Sequence, residues 1–369
     1  MQAINEKKPS ILDWLTANFL RFFVSVAIPA ITFIVLWRGF IFLRDSQASK
    51  GVVALVAIVW GVGGAGALYY VSNWFVERLS PEWTRRVQPF IFVGPALVIL
   101  AWFLAIPTPR TLYISLFDRT STNFIGLDNY LQIFKQPQIL ETFRNNIMWL
   151  VFGTTFSVII GLLIAVLADR SRFETLAKSL IFLPMAISMV GAGVIWNFIY
   201  EVKDIADPQI GLLNFIFVGL GGEPQAWTAL LQPWNNLFLI VIMVWLQTGY
   251  AMVLFSAAIK GIPAELLEAS RIDGANEIQV FFRIMIPYIQ GTIITVATTI
   301  LIFALKIFDV VWVMTGGQFG THVISTQFYR QYFTNRNFGL GSALAIVLFI
   351  AVIPVMVYNL RQFRDQEAF

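Results

Sequence analysis

The sequence predicts an all-α polytopic membrane protein with about eight transmembrane helices. Three observations carry that prediction. Of its 369 residues, 58% are hydrophobic and 12% charged, against roughly 25% charged in soluble domains. Apolar runs of the ~20 residues that cross a bilayer as a helix recur along the whole chain. Between two of those runs lies a polar stretch, Ile262–Pro287, whose residues obey helix-start and helix-stop rules.

The elements follow in order. Lys7 and Lys8 precede an apolar run near Phe19–Leu43. That run is too long for a signal peptide and lacks an obvious small-residue cleavage site, so it reads as an uncleaved first span. The second span, near Val52–Val76, holds Gly61, Gly63, Gly64 and Gly66, which are expected to let a neighbouring helix pack closely. A third span is expected near Pro89–Ile106, a fourth near Asn145–Leu167 and a fifth near Leu180–Tyr200. The sixth covers about Asn236–Ala258, the seventh runs from Pro287 to about Phe308, and the eighth is near Gly339–Leu360. The mixed-polarity stretches Tyr113–Phe134, Glu201–Pro233 and Asp309–Arg336 read as external connections. Residues 1–88 then form an N-terminal region with two extra helices, and residues 89–369 the main transmembrane domain.

Eight spans put both termini on one side. Lys and Arg are more frequent in the segments this places inside (among them Lys7, Lys8, Arg78, Arg85, Arg86, Arg170, Arg172 and Lys178) than in those it places outside. By the positive-inside rule both termini are therefore cytoplasmic. The net charge of +4 is read as this topology signal, not as a nucleic-acid surface. With no cysteine, neither a disulfide nor a thiolate metal site is possible, and His322, the single histidine, argues against a histidine metal site or a catalytic triad. No G-x4-G-K-[ST] phosphate loop occurs. The chain is not expected to be an enzyme.

The polar stretch has internal grammar. Pro263 suits a first helical position, and Glu265 and Glu268 favour the positive end of that helix. Gly274 can take the left-handed conformation that stops it, and Asn276 with Gln279 reads as a capping box for a second helix. On that second helix Ile278, Phe281, Phe282 and Met285 recur at helical spacing and are expected to share a face. An amphipathic helix lying passively on the bilayer is the plainer alternative.

The spacing is more specific than that alternative requires. Glu268-Ala269-Ser270, three residues, Gly274, nine residues and then Ile284-Met285-Ile286-Pro287 resembles the E-A-A-x3-G-x9-I-x-L-P motif of ABC importer permeases. The departures are Ser270 for the second Ala and Ile286 for Leu. Further stretches are similar to the sugar permeases of that family: Phe124-Ile125-Gly126-Leu127-Asp128-Asn129-Tyr130, Phe308-Asp309 with Met314-Thr315-Gly316-Gly317, and Asn337-Phe338-Gly339. From about Arg110 onward the chain looks like a permease of the maltose-transporter type, closest to α-glucoside and glucosylglycerol permeases.

The resemblance implies a type I importer (MetI-like) core in a bacterial inner membrane. It implies a cytoplasmic coupling loop over 259–287 in which Glu265, Glu268, Ala269, Ser270, Asp273, Gly274, Ala275 and Pro287 meet an ATPase. The implied partners are a second homologous permease, two ATPase subunits, an extracytoplasmic sugar-binding protein, the sugar and the bilayer. ATP and magnesium would reside on the ATPases, with no cofactor on this chain. Matched by motif, substrate contacts fall at Met185 and Met189 in the fifth span, and at Leu246, Gln247 and Tyr250 in the sixth. In the seventh they fall at Thr299, Ile302, Phe303 and Lys306. These side chains differ from the maltose pattern, which implies a different sugar.

Two of these positions also stand out without the resemblance. A lysine inside a span costs ~3 kcal/mol on insertion scales, so Lys306 either faces a cavity or snorkels and pairs with Asp309. Trp245-Leu246-Gln247-Thr248-Gly249-Tyr250 is a polar and aromatic patch within the sixth span, suited to a sugar or to helix–helix hydrogen bonds. An ion-coupled secondary transporter is the alternative of a different class. It would call for broken helices in repeated halves and intramembrane carboxylates, and apart from Asp309 at a span edge the sequence offers none of the latter.

Overall fold

The computed structural model describes residues 11–77, 81–169 and 171–367. Lys7, Lys8, Arg78 and Arg170, counted above as inner charges, lie outside them. The described chain is helical, and its only strand-like feature is one antiparallel bridge between Phe117 and Phe124. Six helices are long and apolar enough to cross a membrane, and two bent helix pairs raise that to eight. The chain divides into two compact units, 1–108 and 109–369.

In the first unit, α1 (Ile11–Asp45) and α2 (Lys50–Val76) pair through an indole. Trp60 Nε1 donates to the Leu36 carbonyl at 3.0 Å, and its ring lies against Gly39, where no Cβ obstructs it. Of the α2 glycines only Gly64 works as expected: a Cβ there would stand 2.8 Å from Leu36 Cδ2. Gly61, Gly63 and Gly66 have no atom within 4 Å of that position, because they point away from α1. The third span, α3 (Thr84–Ile114), starts earlier than Pro89. Its first turns pack on α2 through Gln88 Nε2 to Asn73 Oδ1 at 2.9 Å and a Tyr69–Phe92 stack. These contacts lie within the first unit, which extends to Thr108.

The second unit is built on α9 (Trp234–Lys260), whose buried residues run along most of its length. Against it lies α5 (Pro137–Asp169), brought close at Gly161, where a Cβ would be 2.5 Å from that of Ala251. Before α5 the chain makes a tight turn and the short α4 (Asp128–Lys135). Buried Asn129 donates to the carbonyls of Ser115 and Phe117 at 2.8 and 2.7 Å, which fixes that turn. The neighbouring Asp118 carboxylate accepts from the Thr122 backbone N–H and the Asn123 amide, which hold its pKa well below the usual carboxylate range.

The fifth span is not one straight helix. α6 (Glu174–Ala186) and α7 (Met189–Ile199) meet at 105°. Ser188 caps α7, its hydroxyl accepting from Gly191 N–H at 3.0 Å, so the chain restarts a helix in a new direction. After the short α8 (Leu212–Gly219) and α9, the elbow supplies α10 (Ala264–Ile272) and α11 (Glu277–Tyr288). A 71° bend separates α11 from α12 (Gln290–Leu305). α13 (Asp309–Thr315), α14 (Ile324–Tyr329) and the long α15 (Phe338–Glu367) complete the chain.

Three asparagines bind the far ends of these helices to the loop between α13 and α14 and to the first residue of α14, and a fourth lies beside them. Asn145 donates to the carbonyls of Gly320 and His322 at 2.7 and 2.8 Å, and Asn235 to that of Phe319 at 2.6 Å. Asn146 accepts from Ile324 N–H at 2.7 Å, and Asn236 lies beside Asn145 at 3.4 Å. All four are 3% exposed or less, and the amides of Asn145, Asn146 and Asn235 find partners on the loop or the start of α14.

Candidate functional site: an elbow and a cavity joined by one helix

The elbow has the helix grammar its sequence announces. The first helix ends in a left-handed glycine: Gly274 has φ +82°, Ala275 N–H bonds back to the Ser270 carbonyl at 3.0 Å, and Gly274 N–H to that of Arg271 at 3.1 Å. Asn276 and Gln279 form a reciprocal capping box at 2.9 Å each way. Ser270, where the motif has Ala, is buried without cost because its hydroxyl donates to the Leu267 carbonyl at 2.7 Å. Glu265, Glu268, Ala269, Asp273, Gly274 and Pro287 are exposed, and Ala275 is half-buried.

The second elbow helix departs from its expected face. Met285 is buried, but Ile278 and Phe282 are 70% and 63% exposed, and Val280 takes an inward position instead. A π turn over Phe281–Met285 follows, and its wider winding shifts the angular phase of the side chains after it. The elbow presents Leu266, Ile272, Ile278 and Phe282 outward beside its exposed carboxylates.

The cavity, of ≈ 400 Å³, lies where three elements meet. Met185, Ile187, Ser188 and Met189 come from the break between α6 and α7, Leu246, Gln247 and Tyr250 from α9, and Thr299 and Phe303 from α12. Ile302 and Lys306 do not line it. Ile302 is turned from the Thr299–Phe303 face by the helical period, and Lys306 is the C-cap residue at which α12 ends. Of the two alternatives read for it, Lys306 does not take the pairing. It is exposed, and among the described residues no ion pair joins it to Asp309, which instead occupies the first turn of α13, where a carboxylate favours the helix dipole.

Ile187 and Ser188 join the cavity without having been singled out in the sequence. The available signal was Pro184 followed by a serine just before an apolar run, a helix stop and restart.

Chemically the cavity is apolar with a few polar points. Ser188 Oγ accepts from the backbone, which leaves its O–H free to donate, and Thr299 Oγ1 donates to the Thr295 carbonyl at 2.8 Å, which leaves its lone pairs free to accept. Gln247 and Tyr250 offer an amide and a phenol that bond no other described residue. Rings at Tyr250 and Phe303 add flat apolar faces. No lining residue is charged.

Comparison with known proteins identifies the family. The family described as "Binding-protein-dependent transport system inner membrane component" matches residues 157–366. The chain is 51% identical over 277 residues to the osmoprotective compounds uptake permease protein GgtC of Synechocystis sp., covering 75% of this chain and 99% of that protein. It is 43% identical over 324 residues to the alpha-glucoside transport system permease protein AglF of Rhizobium meliloti, covering 84% and 96%. A solved bacterial ABC transporter for the acidic polysaccharide alginate shares the fold. Its matching chain has a TM-score of 0.64 at 20% identity, with 76% of this chain and 98% of that one covered. The chain thus belongs to the family of binding-protein-dependent transport system inner membrane components.

Proposed function

We infer that this chain is the membrane subunit of an ATP-driven importer for a sugar or glycoside, supplying one half of the translocation pathway. One observation carries this reading. The same helix, α9, lines the cavity with Leu246, Gln247 and Tyr250 and passes at Lys260 directly into the elbow that bears the Glu268–Gly274 motif. A device that has to couple a remote ATPase to a solute site needs such a continuous element.

In this reading the elbow, through Glu265, Glu268, Asp273 and its outward apolar residues, docks into one of two ATPase subunits that hold ATP and magnesium. A second permease completes the pathway, and an extracytoplasmic binding protein delivers the solute. Both termini lie in the cytoplasm of a bacterial inner membrane. The uncharged lining suits a neutral glycoside: Tyr250 and Phe303 face the C–H surface of a ring, and Gln247, Ser188 and Thr299 serve its hydroxyls. The relatives named for osmoprotective compounds and alpha-glucosides support that class. Ile302 and Lys306 are left out of the proposed contacts.

The test is ATP hydrolysis by the purified complex in nanodiscs, with its binding protein and glucosylglycerol, sucrose, trehalose or maltose. Stimulation by one sugar establishes the class and the substrate together. If no ATPase associates with the chain, the reading is overturned.

A further inference from the structure

A second contact between α6 and α9 lies at the elbow end of the unit. Lys178 Nζ donates to Asp169 Oδ1, to Ser256 Oγ and to Glu174 Oε1, the last at 2.6 Å, so all three of its protons are engaged. Ser256 Oγ in turn donates to Asp169 Oδ1 at 2.7 Å. Lys260 Nζ donates to the same Glu174 oxygen. Lys178 and Asp169 are largely buried, while Lys260 stays half exposed at the last turn of α9, one residue before the elbow begins.

A third contact lies further along the same two helices. Gly249 lacks the Cβ that would otherwise meet the Ile181 carbonyl oxygen at 2.6 Å and Phe182 Cα at 2.9 Å. The pairs 174 with 260, 178 with 256 and 181 with 249 climb α6 as α9 descends. The steps are four and three on α6 and four and seven on α9, and each set keeps to a single face of its helix. α6 is therefore clasped antiparallel to the elbow half of α9, by charge at one end and by backbone contact at the other. Beyond the clasp α6 reaches Met185 and the break at Ile187–Ser188, which is in the cavity wall.

We propose that α6 and the second half of α9 move as one lever, and that Glu174, Lys178 and Lys260 are positioning residues which transmit movement of the elbow to the cavity. This rests on the importer reading. Without the clasp the elbow pulls on α9 alone, and the Met185–Met189 wall of the cavity no longer follows. Charge is well suited to that end: a partly buried lysine with three acceptors resists sliding along α9 more than an apolar contact would, since each displacement breaks directional bonds.

The test is the sugar imported per ATP hydrolysed by the whole complex in proteoliposomes, with the same four sugars as labelled probes. Lys260→Glu and Glu174→Lys, both at the more exposed end so that folding is spared, each lower that ratio by about fivefold or more while sugar-stimulated ATP hydrolysis persists. The double exchange, Glu174→Lys with Lys260→Glu, restores the 174–260 pair though not the Glu174 acceptor of Lys178, and brings the ratio part of the way back toward wild type. A merely structural role would lower assembly and hydrolysis together and leave the ratio unchanged, which overturns the proposal. Equal ratios in wild type and both single variants overturn it as well, with the importer reading intact. A wild-type complex in which no sugar stimulates hydrolysis defeats the importer reading itself, and the lever with it.

Discussion

Gly249 and Ile181 touch backbone to backbone: the Cβ that Gly249 lacks would stand 2.6 Å from the Ile181 carbonyl oxygen. The contact sits within the Gln247–Tyr250 patch, so the residue that admits α6 is flanked by two that line the cavity. Gly249→Ala is expected to force the two helices apart, at a cost of about 1–3 kcal/mol typical of overpacking. Thermal unfolding of the complex in nanodiscs should show the loss, and uptake should fall further than stability alone accounts for, because Met185 is carried away from Tyr250. Gly161→Ala, which crowds Ala251 on a contact away from the cavity, is the control.

At the elbow the requirement is conformational and not steric. Gly274 has φ +82° with nothing within 4 Å of a Cβ position, so a side chain there fits in space but strains the backbone by about 1–2 kcal/mol. Gly274→Asn, which tolerates the left-handed region better, should retain more uptake than Gly274→Val. Glu268→Lys leaves the backbone alone and reverses an exposed charge. It should insert normally and lose uptake. Expression level and uptake measured side by side check both.

Tyr250 and Lys306 are separated by the structure where the sequence had put them together. Tyr250 lines the cavity and Lys306 ends α12 outside it. Tyr250→Ala is expected to change the ranking among the four sugars, removing an aromatic face worth about 0.5–1.5 kcal/mol beyond its buried area. Lys306→Met should leave that ranking as it was. Sugar-stimulated hydrolysis across the panel measures both.

These differences show what the sequence could and could not specify. Span positions were legible because a bilayer imposes a length and an apolar composition that a single chain must display. The elbow was legible because capping depends on a few residues at fixed local offsets, as Asn276 and Gln279 do here. The 105° break at Ser188 was not, since a serine cap inside an apolar run is a weak local signal and the direction of the new helix depends on what it packs against. Helical spacing puts Ile278, Phe281, Phe282 and Met285 on one face, yet Ile278 and Phe282 are exposed while Met285 is buried; a π turn over Phe281–Met285 breaks the 3.6-residue period on which that expectation rests. The α2 glycines carried even less information: four small residues cannot say which of them faces a neighbour, and only Gly64 does. Cavity membership needed three helices in place, which is why Ile187 and Ser188 entered it unannounced while Ile302, adjacent to a lining residue, stayed out.

His322 supplies a pH dependence whose sign follows from its surroundings. Its Nδ1 lies 3.1 Å from Thr326 Oγ1, and Arg330 Nη1 lies 3.1 Å from its Nε2. The arginine can only donate, and the Thr326 hydroxyl proton is directed to the Val323 carbonyl at 3.0 Å. These partners therefore assign the neutral ring with its proton on Nδ1. The ring also lies against Gly317, where φ +78° and the absence of a Cβ make room for it. Burial, and secondarily the Arg330 charge, push the His322 pKa down to about 4. The folded protein then binds its proton less readily than the unfolded chain, whose histidine titrates near 6.5. The stabilising contribution is fully present above that pH and is lost as pH falls toward 4, because only the unfolded state gains the proton across this window. The same loop anchors Asn145 and Asn235, so loosening it should lower the unfolding temperature of that end of the second unit. Unfolding of the wild-type complex followed from pH 7 to pH 4.5 should show that decline. His322→Gln should start lower at pH 7 and show a flatter profile, and an equally steep one would assign the dependence to another group.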